Sequence, residues 1–336
     1  MIGYYVHHHG FGHLARAMSI AERMRRPVTV LTSRAVPAAN PFSAVVPLPR
    51  DDAAARVCEP NAHGALHWAP LLDEGYRARM TTIAQWAHDA RPEAFVVDVS
   101  VEVATLVRLL GIPLVVMALP GQRVDDPHLL VHRLADRIIA AWPEELSAPD
   151  WLRPHRDKTV YVGGISRFER RTPTPGTIGS EPGSATKVLV LGGADGLGIG
   201  AEEFRDSTAE VLDSRWTVLG GGRDGWIDDP WPHLCAADLV VTHAGQNCIA
   251  DVAAARRPAI VIPQPRPFDE QHATAAVLQR FGLATVSPRW PSRTAWSPLL
   301  ARARTADPQG WRRWRVDGAA QRAADAIAAT PRRACR

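Results

Sequence analysis

At 336 residues, 46% of them hydrophobic and 22% charged, the chain is longer than one ordinary core organises and divides most naturally into two domains. A net charge of +4, spread along the length except near the C-terminus, argues against a nucleic-acid partner while favouring an anionic ligand. The chain enters a strand-like segment at once, has no run of the ~18 apolar residues a membrane span needs, and spaces its four cysteines unlike metal ligands, so a cytoplasmic protein with reduced thiols is expected.

In chain order, Ile2 to Val6, Val28 to Thr32, Phe95 to Val99, Leu114 to Ala118 and Ile138 to Ala141 are short apolar or β-branched runs, with helical periodicity between several of them. This βαβ rhythm predicts a mostly parallel, doubly wound α/β sheet. After Thr159 to Val162 comes Arg171 to Thr186, where twelve of sixteen residues are Pro, Gly, Ser or Thr, the composition of a linker. The rhythm restarts at Lys187 to Leu191 and continues through Trp216 to Leu219, Asp238 to Thr242 and Ala259 to Pro263. The expected organisation is a first domain over 1–165, a linker over 166–186, a second domain over 187–310, and a C-terminal helix with a basic tail over 311–336.

Both halves open with a strand, a glycine turn and a helix: His7-His8-His9-Gly10-Phe11-Gly12-His13 in the first and Gly192-Gly193-Ala194-Asp195-Gly196-Leu197-Gly198 in the second. Neither turn has P-loop spacing, and the first lacks the third glycine of the dinucleotide fingerprint, which disfavours ATP and NAD. The richest segment is Thr242-His243-Ala244-Gly245-Gln246-Asn247-Cys248-Ile249-Ala250-Asp251, read as a strand end, a small-residue turn and a helix. A helix starting after Gly245 offers unpaired N–H groups and a positive dipole end to a diphosphate. Asp251 then lies ~9 Å along the axis, within reach of a ribose.

Gly10-Phe11-Gly12-His13-Leu14-Ala15-Arg16, together with Thr242 to Asp251 and Asp269-Glu270-Gln271-His272, resembles glycosyltransferase family 28. The resemblance implies the GT-B fold, two Rossmann-like domains facing across a cleft, with the acceptor on the first domain and the nucleotide sugar on the second. It implies donor binding around Gly193, His243, Gly245, Gln246 and Asn247, with Asp251 in the place of the family's ribose-binding Glu. Asp269, Gln271 and His272 stand where the family contacts sugar hydroxyls, and uracil would lie near Gly220 to Trp226. Asn247 equally reads as a helix-cap residue, and Asp269 with Gln271 as an ordinary polar loop.

Inverting transfer needs a base for the acceptor hydroxyl, and imidazole titrates closest to neutral pH. His13, which closes the first glycine turn, is the candidate, with Asp98 at the end of its strand as the carboxylate that orients it. His9, Gly10 and Gly12 are expected to line the acceptor cleft. The His7-His8-His9 triplet invites a metal reading, but no carboxylate or cysteine partner is expected nearby and no Asp-x-Asp motif occurs, so neither metal nor cofactor is expected beyond the nucleotide-sugar co-substrate. Trp311 and Trp314, three apart among Arg312, Arg313 and Arg315, are expected to pack where the last helix returns to the first domain, with peripheral membrane contact as the alternative. The expected activity is a hexosyl-type transfer from a nucleotide diphosphate sugar, UDP-linked by the resemblance, to a small-molecule, glycan or lipid-linked acceptor. A hydrolase on the same scaffold and a catalytically silent nucleotide-sugar-binding protein are the alternatives; an epimerase lacks placeable acid and base carboxylates.

Overall fold

The computed structural model describes residues 1–334 except 9, 54–55, 174–184, 194–195, 197, 210, 212 and 222–226, with side chains described to residue 330. His9, much of the glycine- and proline-rich linker, part of the second glycine turn, most of the expected uracil segment and Cys335 therefore lie outside the described residues.

The first unit runs β1 (Ile2–Val6), α1 (Gly12–Ala21), β2 (Val28–Thr32), β3 (Ala44–Pro47), α2 (Glu74–Ala90), β4 (Ala94–Asp98), α3 (Val101–Leu109), β5 (Leu114–Ala118), α4 (Asp126–Leu134), β6 (Arg137–Ala140) and β7 (Thr159–Tyr161). Its seven strands pair in parallel in the order β3-β2-β1-β4-β5-β6-β7. The second runs β8 (Thr186–Leu191), α5 (Ala201–Thr208), β9 (Ser214–Leu219), α6 (Trp231–Ala236), β10 (Leu239–Thr242), α7 (Gln246–Ala255), β11 (Ala259–Val261), α8 (Glu270–Arg280), β12 (Thr285–Val286), α9 (Trp296–Arg304) and finally α10 (Ala319–Ala334). Its five strands, also parallel, are ordered β12-β11-β10-β8-β9.

The central strands β1, β2, β4 and β5 are buried along their whole length, which is why they read in sequence as unbroken apolar runs rather than alternating ones. Two strands were not anticipated. β3 is an edge strand with mostly exposed residues, and β12 has only two residues, so neither carries a burial signal. The strand at Phe95 stops one residue short of the expected Val99, whose φ of 64° is left-handed and cannot continue a ladder. Strand order reverses between β1 and β4 in one sheet and between β8 and β10 in the other. A crevice for ligands opens at the carboxyl ends of strands at such points. The turns after β1, β8 and β10 all emerge there.

The last helix crosses back. α10 buries Ala319, Ala320, Ala323, Ala324 and Ile327 in one apolar cluster with Ile2, Tyr4, Leu14 and Val96 of the first unit. Ahead of it, Trp311 and Trp314 are 2% and 3% exposed, and the Trp311 indole N–H donates to the Arg257 carbonyl (2.8 Å). Both indoles are thus core groups at the junction of the two units, not a membrane-facing pair. Truncating Ile327 to Ala should cost about 2–5 kcal/mol in urea unfolding. The accompanying loss of amide-exchange protection should fall on β1 and β4, far away in sequence, and not on the second sheet.

Candidate active site

The helices α1 and α7 meet end to end across the cleft. Neither N-terminus carries a side-chain cap. Asn247 Nδ2 donates to the Gly12 carbonyl (2.8 Å), and Arg16 Nη1 donates to Gln246 Oε1 (2.8 Å). A Cβ at Gly12 would stand 3.5 Å from the Asn247 side chain, an ordinary van der Waals distance, so this contact does not itself demand glycine. Between the two ends lies a cavity of about 200 Å³ whose wall includes Gly10, Gly12 and His13 from the first unit and Gly193, His243, Gly245, Gln246, Asn247 and Asp251 from the second.

His13 opens α1 and is 22% exposed at its side chain, whereas Asp98, ending β4, is completely buried beneath it. Their contact is Nδ1 to Oδ1 at 2.9 Å. Arg16, one turn along α1, donates Nε to Asp98 Oδ2 (3.0 Å) and Nη2 to Oδ1 (2.6 Å). Nη2 also passes 3.1 Å from His13 Nδ1. A guanidinium can only donate, and it is already committed to the carboxylate, so Nδ1–H donates a hydrogen bond to Asp98 and Nε2 keeps its lone pair. Burial alone would raise the Asp98 carboxyl's pKa. Arg16 and then His13 outweigh it and hold the group well below the usual carboxylate range.

The donor-side residues divide. The His243 ring folds back so that Nδ1 accepts the Gly245 N–H (2.9 Å), and a Cβ at Gly245 would lie 2.4 Å from that ring, so only glycine fits there. Asp251 accepts from Ser166 Oγ (2.7 Å) and Arg167 Nε (3.3 Å), both from the segment that leaves the first unit. Burial raises its pKa against the opposing pull of Arg167 and Ser166. The 269–272 segment departs from expectation. Gln271 is 3% exposed, and its Oε1 accepts both the Ala244 N–H (3.1 Å) and the Gln264 N–H (2.9 Å), so its carbonyl braces two loops instead of facing the cleft. Asp269 and His272 are 76% and 49% exposed at their side chains and do not line the cavity. Glu270 does, along with Arg266.

The sequence reading missed Arg16, Arg167 and Glu270. Nothing in the sequence marks Arg16 as buried. Glu270 also closes the cleft's far side by accepting from Arg123 Nη2 (3.2 Å), while the Gln122 N–H donates to the Phe268 carbonyl (2.7 Å). Two clusters bring metal-capable side chains together, His67–Asp125–His128 and His8–Asp51–Asp52. In the first, Asp125 is 2.6 Å from one imidazole and 2.5 Å from the other. Those are hydrogen-bond lengths, shorter than the ~3.4 Å that separates two ligands on a tetrahedral ion. The second overturns the expectation that no carboxylate lies near the histidine triplet, since the turn after β3 brings Asp52 within 3.2 Å of His8 Nε2; Asp51 and Asp52 also face Arg79 (3.0 Å) and Arg50 (2.5 Å). No described helix is long and apolar enough to cross a membrane.

Residues 227–289 match the glycosyltransferase family 28 C-terminal domain. A UDP-N-acetylglucosamine–N-acetylmuramyl-(pentapeptide) pyrophosphoryl-undecaprenol N-acetylglucosamine transferase of Sorangium cellulosum is 31% identical over 263 residues, 67% of this chain and 61% of that protein. The enzyme of the same name from Solidesulfovibrio magneticus is 26% identical over 210 residues, 53% of this chain and 54% of that one. The matched region thus spans between half and two thirds of such relatives. The solved calicheamicin glycosyltransferase superposes with a TM-score of 0.65 at 18% identity, covering 98% of both chains, which establishes the GT-B fold. These relatives are named transferases and lend the hydrolase alternative no support.

Replacing Arg16 with Met leaves Asp98 buried without its main partner and should cost about 3–5 kcal/mol at neutral pH. In the wild type the depressed Asp98 pKa contributes stability that is complete above the unfolded value of about 3.9 and lost as pH falls below it. Without Arg16, burial dominates and protonation becomes stabilising. Urea unfolding at about pH 7 and about pH 3 should therefore show the wild type's advantage shrinking in acid.

Proposed function

We propose that this family 28 relative, with its GT-B fold, is an inverting glycosyltransferase that takes a sugar from a nucleotide diphosphate sugar and passes it to an acceptor hydroxyl. The single observation that carries the reading is the opposition of His13 and the uncapped N-terminus of α7 on two walls of one cavity. A diphosphate at the α7 end is met by free N–H groups and the positive end of the helix dipole. Gly193, His243, Gly245, Gln246 and Asn247 surround that position, and Asp251, whose oxygens each retain a lone pair, receives the ribose hydroxyls. UDP is the favoured nucleotide because the relatives' names specify UDP-N-acetylglucosamine.

In the reaction the acceptor oxygen bonds to the anomeric carbon from the His13 side as its proton passes to Nε2. The bond from that carbon to the diphosphate oxygen breaks on the opposite side, and the nucleotide diphosphate leaves with the electron pair toward α7. Asp98 holds the ring in the productive tautomer and stabilises the imidazolium that forms, and Arg16 keeps Asp98 ionised. The reading calls for no cofactor beyond the nucleotide-sugar co-substrate, and the acceptor is a small molecule, a glycan or a lipid-linked sugar.

His13→Ala should keep its affinity for UDP-sugar while losing about 10²–10⁴-fold in turnover, measured as acceptor-dependent UDP release. Normal turnover in that variant would remove His13 as the base. Asp98→Asn should also lose turnover with little change in donor affinity, and an unaltered rate would dismiss the dyad.

A further inference from the structure

A second cavity, of about 140 Å³, lies at the carboxyl edge of the first sheet. It shares Leu119 with the cleft that holds His13, so the two spaces adjoin. Its size is informative: an engineered apolar cavity of about 150 Å³ in another protein takes up one benzene molecule. This cavity therefore matches one six-membered ring and is too small for a disaccharide or a polyprenyl chain. Its walls suit a flat ring, with Trp68, Tyr76, Met80 and the His67 and His132 imidazoles among them.

The polar groups of the wall narrow the ligand further. Arg79 faces Asp51 (3.0 Å), and Arg123 faces Glu270 (3.2 Å). Glu102 accepts from the His67 and Trp68 amides (2.8 and 3.0 Å) and from Ser100 Oγ (2.9 Å). Both wall arginines are thus paired with carboxylates, so an anionic ligand would find no unpaired cation, and the Glu102 oxygens are occupied by three neutral donors. Three described atoms of this wall are buried without a hydrogen-bond partner: Asp51 Oδ1 and Arg79 Nε, whose groups pair with each other by charge, and His132 Nδ1, whose ring has no charged partner. His132 is 3% exposed, stacks on Trp151 with 4.9 Å between centroids, and its Nδ1 has no hydrogen-bond partner among the described residues. Burial first, then the neighbouring His128, His155 and Arg123, push its pKa down to about 3, so the ring is neutral. A buried, unmet nitrogen costs free energy that a ligand hydroxyl recovers, because a hydroxyl both donates and accepts and so satisfies either imidazole tautomer.

We infer that the acceptor is a neutral, single-ring aromatic carrying two hydroxyl groups, one bonded to His132 and the other presented toward His13. This rests on the transferase reading only for the fate of the second hydroxyl; ring binding is independent of it.

The test uses the full chain, calorimetric titration with resorcinol, benzene and n-decyl glucoside, and thermal shift with UDP. Resorcinol should bind with one-to-one stoichiometry and n-decyl glucoside should not bind. Met80→Trp, which fills the cavity, should abolish resorcinol binding. His132→Phe, which preserves the stack on Trp151, should weaken resorcinol about tenfold and benzene, which has no hydroxyl to lose, less than about twofold. Both variants should keep the UDP-induced rise in melting temperature of the wild type. Resorcinol binding equally well to Met80→Trp, resorcinol and benzene weakened alike by His132→Phe, or n-decyl glucoside displacing resorcinol would each overturn the inference. No binding of resorcinol by a wild type that UDP stabilises would sink the ring acceptor and leave the transferase reading standing. Ring binding as described without any UDP effect would do the reverse.

Discussion

The buried carboxylate of Asp98 is the constraint on which the cleft depends. An ionised group with no access to solvent is tolerable only when its oxygens are fully engaged, and here Arg16 supplies two bonds and His13 a third. That requirement fixes three things together. It sets the rotation of α1 about its axis, since residues 13 and 16 must share one face. It sets the tautomer of His13, leaving Nε2 toward the cavity. It also places the remaining guanidinium nitrogen where it can bond Gln246 at the start of α7. One charge cluster inside the first unit thereby determines where the second unit's helix end stands.

The rest of the donor wall uses a different device, the exchange of side-chain oxygens for backbone order. Gln271 spends its carbonyl on the amides of Ala244 and Gln264, which ties the loop after β11 to the turn after β10. His243 does the same for Gly245. Neither side chain has to touch a ligand to matter, because both hold still the backbone from which α7 starts. A site built this way is organised before ligand arrives, and preorganised N–H groups are worth more to a developing charge than groups that must first be ordered.

How much of this was legible in the sequence follows from what burial does to composition. The central strands, covered on both faces, were visible as apolar runs, and the glycine turns begin at the carboxyl ends of β1 and β8, as their sequence position after those runs implied. The edge strand at Ala44–Pro47 was not visible, because an exposed edge has no reason to be apolar. His13 and Asp98 could be paired because each ends or begins an element at the same sheet edge; Val6 and Asp98 are indeed in register. Arg16 could not be read, since a basic residue in the second turn of a helix is ordinarily solvated and only the fold reveals a carboxylate beneath it. The 269–272 segment misled for a related reason. Its polar residues look alike in sequence, yet the helix rotation sends Gln271 inward and leaves Asp269 and His272 in solvent, with Glu270 between them facing the cleft.

The two units are joined differently on the two sides of the cleft, and this bears on how the site can work. Across the mouth the contacts are polar: Asn247 to Gly12, Arg16 to Gln246, Gln122 to Phe268 and Arg123 to Glu270. Each can be traded for water at a net cost of about 0.5–1.5 kcal/mol, or up to about 3 where a charge is involved. On the opposite side Trp314 packs so tightly on Gly164 that a Cβ there would lie 2.3 Å from the indole, and α10 is buried against the first sheet. That side cannot separate without exposing indole and alanine surface. The 163–167 and 314–318 crossings are therefore the part of the junction that resists separation, and the polar contacts are the part that exchanges with water at least cost. Asp251 is tied to the first of these crossings by its bonds to Ser166 and Arg167, so the carboxylate at the back of the cavity belongs to the apolar, inseparable side of the junction and not to its polar mouth.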